Sequence, residues 1–264
     1  MNIVLAHGVL GFGTLFGVEY FHGVKAFLEA NFDAKVIAPE VSPVASVARR
    51  AGQLGEKIAA ALADGSLKPG EKIHIIAHSM GGLDGRHLLA TQPDLAKQTA
   101  SLTTLGTPHE GTPIADLAYG TVSGGGLLSK EQVEAVVGAA GLSLAGLRDL
   151  TTQGMAEFNL IHPDNPQVKY FCGAGRGHDR QPQTCEFLWL FHTHLKNFQH
   201  QESDGLVPVS SALRPGWQTI GEPWSADHFE LIGHTLGLVA KFRHGNFEHL
   251  SRYGEIVEMV KSVG

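Results

Sequence analysis

Short apolar, β-rich runs alternate with stretches of helical periodicity along most of the chain. The runs Ile3–Ala6, Lys35–Ala38, Lys72–Ala77, Ser101–Leu105 and Val168–Cys172 predict strands, and Tyr20–Ala30, Val44–Ala63 and Gly82–Thr91 predict helices between them. Such alternation folds as parallel βαβ units. The segment Ile73-His-Ile-Ile-Ala77 is continuous and β-branched, the pattern of a central strand buried on both faces. The alternation breaks over Pro113–Leu150, where Gly124-Gly125-Gly126 and Leu127-Leu128 lead into an Ala- and Gly-rich helical stretch. A long insertion in a compact domain is usually functional or mobile. It is expected over the C-terminal edge of the sheet, where open α/β sheets bind ligands.

Length and composition narrow this to one domain, residues 1–264. The chain is 43% hydrophobic and 17% charged, a globular balance that supplies a buried sheet and excludes disorder. A net charge of −6 without long like-charge runs argues against a nucleic-acid partner. The one basic doublet, Arg49-Arg50, is expected on a solvated helix face. No stretch approaches the roughly 18 apolar residues that span a bilayer. With a core strand beginning at Asn2 and no leader before it, a cytoplasmic location is expected, or a secreted one if a signal peptide has been trimmed. Cys172 and Cys185 are the only cysteines and are expected to be free, pairing being the alternative in an oxidising compartment.

The candidate chemistry begins at Ala77-His-Ser79-Met-Gly81, between the strongest strand and a helix. A serine on a strained strand-to-helix turn brings the positions two before and two after it together, so only Gly or Ala fits there. The turn lifts the hydroxyl above the sheet and aims the Met80 N–H, at the helix start, toward a developing oxyanion. A second donor must come from another strand end, and His7-Gly8-Val9-Leu10-Gly11 offers Val9. A nucleophilic serine needs a histidine base and a carboxylate to orient it, in the chain order Ser, Asp/Glu, His. Asp204, in Ser203-Asp-Gly-Leu-Val-Pro208, is the preferred acid over Asp179 and Asp227. With 15 histidines in the chain, context must choose the base. His228 precedes an apolar helical run and is preferred to His234, which is expected within that helix.

These residues make the chain resemble the bacterial triacylglycerol lipases of the α/β-hydrolase superfamily. The likeness runs from Ile3 to about Leu117 and from Met155 to about Gly233. It rests on His7-Gly-Val-Leu-Gly-Phe12, Gly17-Val-Glu-Tyr20, Ile73–Gly82, Gly106-Thr-Pro-His-Glu-Gly111, Glu157-Phe-Asn159, Ser203–Val207 and Asp227-His-Phe-Glu230. The first loop is similar to mesophilic secreted lipases, whereas the Ala-containing elbow and Asp227–Glu230 look like the thermoalkaliphilic branch. The resemblance implies a mostly parallel sheet flanked by helices, with a helical lid-like insertion. It implies Ser79, Asp204 and His228 as a triad, Val9 and Met80 as oxyanion donors, and a lipid or ester substrate met at a transient lipid interface. No cofactor is required for that chemistry. A structural calcium at Glu230 is implied, with Asp179 or Glu186 as further ligands, while Thr235 stands where one branch has an Asp. The Asp/His insertion that carries the zinc site of the thermoalkaliphilic branch is absent between Val44 and Lys68.

The same triad would serve a thioesterase or amidase, and a non-catalytic lipid-binding relative is the reading from outside enzymes. His192, His194 and His200, with His178 and Asp179, have the residue types of a metal site but no signature spacing, so solvated or hydrogen-bonded histidines are expected. His109 is expected to shape the site wall. Phe16, Phe21 and Phe27 would line an acyl pocket or belong to the core. Within the insertion, Leu127, Leu128, Val133, Val136, Val137, Leu142, Leu144 and Leu147 supply an apolar face, and Gly120, Gly124–Gly126, Gly138 and Gly141 supply hinges. A fixed helical hairpin is the alternative to a moving lid.

Overall fold

In the computed structural model, the residues described are 1–9, 14–15, 18–120, 144–178, 184–235 and 248–263. Six parallel strands form the sheet: β1 (Asn2–Ala6), β4 (Lys35–Ile37), β5 (Ile73–His78), β6 (Thr99–Leu105), β7 (Lys169–Gly173) and β8 (Gln218–Thr219), in the order β4-β1-β5-β6-β7-β8. A separate antiparallel pair, β2 (Thr14–Leu15) and β3 (Val18–Glu19), follows the first strand.

Strand residues alternate between two apolar layers, as the two-residue period of a strand requires. Ile3, Leu5 and Ile76 face one side, packing with Val24 and Leu28 of α1 (Val24–Asn31) and with Tyr253, Ile256, Val257 and Val260 of α10 (His249–Lys261). Val4, Ala6, Ile75 and Ala77 face the other side, against Ala51, Leu54 and Ile58 of α2 (Val47–Ala63) and Leu88 of α3 (Met80–Thr91). Helices on both faces of a parallel sheet make this an α/β-hydrolase fold, as expected. The sheet is buried on both sides, so its C-terminal edge is where loops are free to build a site.

Three further helices sit near that edge: α5 (Pro113–Tyr119), α6 (Leu144–Asp149) and α7 (Thr152–Ile161). The Asp116 carboxylate joins α5 to α7 by accepting from the Thr152 backbone N–H at 2.8 Å and its hydroxyl at 2.9 Å. Leu147 is buried with Ile114, Leu117, Leu188 and Phe191. The remaining described elements are α4 (Pro93–Gln98), α8 (Glu186–Gln199) and α9 (Val209–Ala212). Most of the insertion's apolar and hinge positions, Gly124 to Leu142, lie outside the described residues. Among the described residues, no helix is long and apolar enough to cross a membrane.

Candidate active site

Ser79 joins β5 to α3 with φ 54° and ψ −133°, a conformation that persists only where the surroundings impose it. Its N–H donates to the Leu105 carbonyl at 2.9 Å, and its own carbonyl accepts the Thr107 hydroxyl at 2.7 Å. The small residues around it leave no room for side chains. A Cβ on Gly81 would strike the Ala6 carbonyl at the end of β1, and one on Gly8 would fall 2.6 Å from the Ser79 Cβ. The strand end that carries the Gly8–Val9 loop is therefore packed directly against the Ser79 turn.

Gly8 already gives its N–H to the Tyr20 hydroxyl at 3.0 Å. Val9 is the next donor on that loop, and it packs beside Met80 and Leu83. Met80 is the first residue of α3, where an N–H has no intrahelical acceptor. The loop itself is held from beneath. Arg50, expected in solvent, is fully buried: its Nη2 donates to the His7 carbonyl at 2.7 Å and the Gly8 carbonyl at 3.3 Å, and its Nη1 to the Ser42 carbonyl at 2.7 Å. Its Nε and Nη2 reach Asp84 Oδ2 at 2.9 and 2.7 Å. Burial pushes the Asp84 carboxyl up to about 6, against the pull of Arg50. His7 Nε2 accepts from the Val41 N–H at 3.0 Å, and burial, with Arg50 nearby, holds that imidazole down to about 4. The ring is neutral and structural at physiological pH.

Asp204 and His228 meet across the same edge. Asp204 is 1% exposed, and a carboxylate so buried must be fully hydrogen-bonded. Its Oδ1 accepts the backbone N–H groups of Leu206 at 2.9 Å and Val207 at 2.8 Å, and its Oδ2 accepts from His228 Nδ1 at 2.7 Å. The His228 backbone N–H also donates to the Asp204 carbonyl, at 2.9 Å. With Nδ1 donating, Nε2 is the bare lone pair, the tautomer a general base requires. Gly106, at φ 57°, makes room for the pair: a Cβ there would lie 2.9 Å from Asp204 Oδ2.

The competing residues have other work. Both Asp227 oxygens accept backbone N–H groups, Oδ1 from Phe229 and Glu230 and Oδ2 from Cys185, each at 3.0 Å. His234 Nε2 donates to the carbonyls of Glu19 and Tyr20 at 3.0 and 2.9 Å, tying the β3 loop in place. It does not lie in a helix, because the turn after His228 is a 3-10 helix, Glu230–Ile232, closed by Gly233 at φ 86°. Asp179 lies outside the described residues. His109 is fully buried, with Nε2 3.0 Å from the Thr104 hydroxyl and its ring edge-on to Trp217. Phe21 belongs to the core and Phe27 packs against it; Phe16 lies outside the described residues.

His192 and His194 lie on α8 with His200 at its C-terminal cap, and a two-residue spacing on a helix separates His192 from His194. Among the described residues, no group of three or more His, Cys, Asp or Glu side chains could hold a metal ion. Glu230 accepts the Asp227 N–H at 2.8 Å while Asp227 accepts that of Glu230, a reciprocal cap that orders the turn carrying His228 through protein groups. Cys172 and Cys185 are both buried and are not joined in a disulfide.

Known proteins share this framework. A triacylglycerol lipase of Vibrio cholerae is 34% identical over 186 residues, covering 66% of this chain and 57% of the relative. A triacylglycerol lipase of Pseudomonas fragi is 28% identical over 272 residues, covering 88% of this chain and 87% of the relative. The chain is similar to these bacterial triacylglycerol lipases. The chain spans little more than half the length of its Vibrio relative. The fold agrees: the crystal structure of Staphylococcus hyicus lipase superposes with a TM-score of 0.70 at 20% identity, covering 99% of this chain and 95% of that one. No family profile matches the chain.

Proposed function

We propose that this protein hydrolyses carboxylic esters of lipids by acyl transfer through Ser79, His228 and Asp204. The carrying observation is the strained Ser79 turn on the same sheet edge as the buried Asp204–His228 pair. The names of the relatives support the substrate class. Neutral His228 takes the Ser79 proton at Nε2 as the hydroxyl attacks the ester carbonyl, and Asp204 holds the tautomer and stabilises the imidazolium. The Val9 and Met80 N–H groups receive the oxyanion, the alcohol leaves with the proton from His228, and water releases the acid by the same steps. The insertion at 113–150 serves as a lid that shields an apolar acyl site until a lipid surface is met.

A fluorophosphonate probe on the intact chain, with a panel of p-nitrophenyl esters from short to long acyl chains, tests this reading. Labelling confined to Ser79 is expected, with rates on long chains rising sharply once substrate exceeds its solubility. An unlabelled chain would instead be a lipid binder. Smooth saturation would mean a fixed cap and an esterase, and preference for thioesters or amides would reassign the substrate.

A calcium ion holding the Glu230 turn, together with residues outside those described, has its own expected outcome. Chelator should lower the melting temperature of the wild type and leave that of Glu230→Gln unchanged. Equal melting of the wild type with and without chelator means that the Asp227–Glu230 cap suffices alone.

A further inference from the structure

Tyr20 is buried where three segments of the site meet. Its hydroxyl accepts the Gly8 N–H at 3.0 Å and faces His78 Nδ1 at 2.8 Å. The hydroxyl has one proton to give and His78 Nδ1 is its acceptor, so the His78 proton sits on Nε2. That nitrogen is buried with no hydrogen bond of good geometry among the described residues. The His78 ring lies 4.5 Å from that of His228, centroid to centroid, at 47°. The His228 backbone is its hydrogen-bonding neighbour, short of good geometry, and an aliphatic side chain would suit a purely structural core position better. Burial holds His78 well below the usual imidazole range, so it is uncharged and does not repel the imidazolium that forms on His228.

We propose that Tyr20 and His78 are a positioning pair for ester hydrolysis, the hydroxyl fixing the Gly8–Val9 peptide and the imidazole backing the His228 ring. Two hydrogen bonds and one ring contact thereby set the Gly8–Val9 loop and the base against each other. The inference rests on the hydrolase reading above. It concerns geometry in the transition state, where a small displacement of donor or base is expensive.

The test uses the full chain and a short p-nitrophenyl ester, comparing Tyr20→Phe, His78→Phe, His78→Asn and the Tyr20→Phe/His78→Phe double variant. Each Phe variant should lower kcat by about 10- to 100-fold with KM within about twofold. The double variant should be no more than about threefold worse than the poorer single, because the pair acts as a unit. His78→Asn keeps an amide oxygen near the Nδ1 position and should fall between the wild type and His78→Phe. The inference is overturned by unchanged kcat in Tyr20→Phe, by losses that multiply in the double variant, by a rise in KM alone, or by His78→Asn no better than His78→Phe. If His78→Phe does not fold, Tyr20→Phe and His78→Asn decide between the same outcomes. A wild type inactive on every ester would fail the hydrolase reading instead, a result distinct from all of these.

Discussion

Ser79→Ala is expected to cut ester hydrolysis by about a thousandfold or more while the melting temperature holds or rises slightly. The activity loss follows from deleting the nucleophile from a set of groups that act together. The stability side follows from local geometry. The Ser79 backbone, not its side chain, makes the bonds to Leu105 and Thr107, and these keep the turn at φ 54° in the variant. His228→Ala should match the activity loss but differ in the melt. It leaves the buried Asp204 carboxylate with its two backbone donors and no imidazole. That is an uncompensated charge of the kind that costs stability. Thermal melts run beside rate measurements separate the two. An active His228→Ala paired with an inactive His234→Ala would move the base to His234.

Arg50→Met should be the most destabilising single change outside the catalytic residues. It removes the cation from a fully buried pair and strands Asp84, a loss of about 3–5 kcal/mol. For a domain of this size that is roughly 6–20 °C in Tm. The carbonyls of Ser42, His7 and Gly8 lose their donor as well, so activity should fall further than unfolding explains. Arg50→Met/Asp84→Leu should recover part of the stability, since removing both charges leaves neither unpaired, but not the activity. A single variant that melts with the wild type would show that water enters to replace the guanidinium.

Five of the six parallel strands were legible as apolar, β-rich runs, Ile73–Ala77, buried on both faces, being the plainest case; β8, two exposed residues, writes no such run. Helix α10 carries a helical signal instead, with Tyr253, Ile256, Val257 and Val260 at spacings of three, one and three, although no helix is predicted there from the sequence. Helix α8 was harder, since its N-cap Cys185 makes no side-chain capping bond. The elbow was readable because one turn contains its whole geometry. Arg50 was not, since a buried arginine is written in its partners, Asp84, Ser42, His7 and Gly8, which stand up to 43 residues away. The Tyr20–His78 contact spans 58 residues and leaves no local pattern at all.

Both outer strands of the sheet are brief. β4 contributes three residues and begins with an exposed lysine, and β8 contributes two, both exposed. Few unpaired backbone groups are left along either flank for another chain to zip onto, and a charged or polar side chain stands on each. Among the described residues, then, the sheet offers no template for edge-to-edge growth. The protein should tolerate high concentration without forming continuous intermolecular sheets, and any self-association it shows should be built through helices or loops.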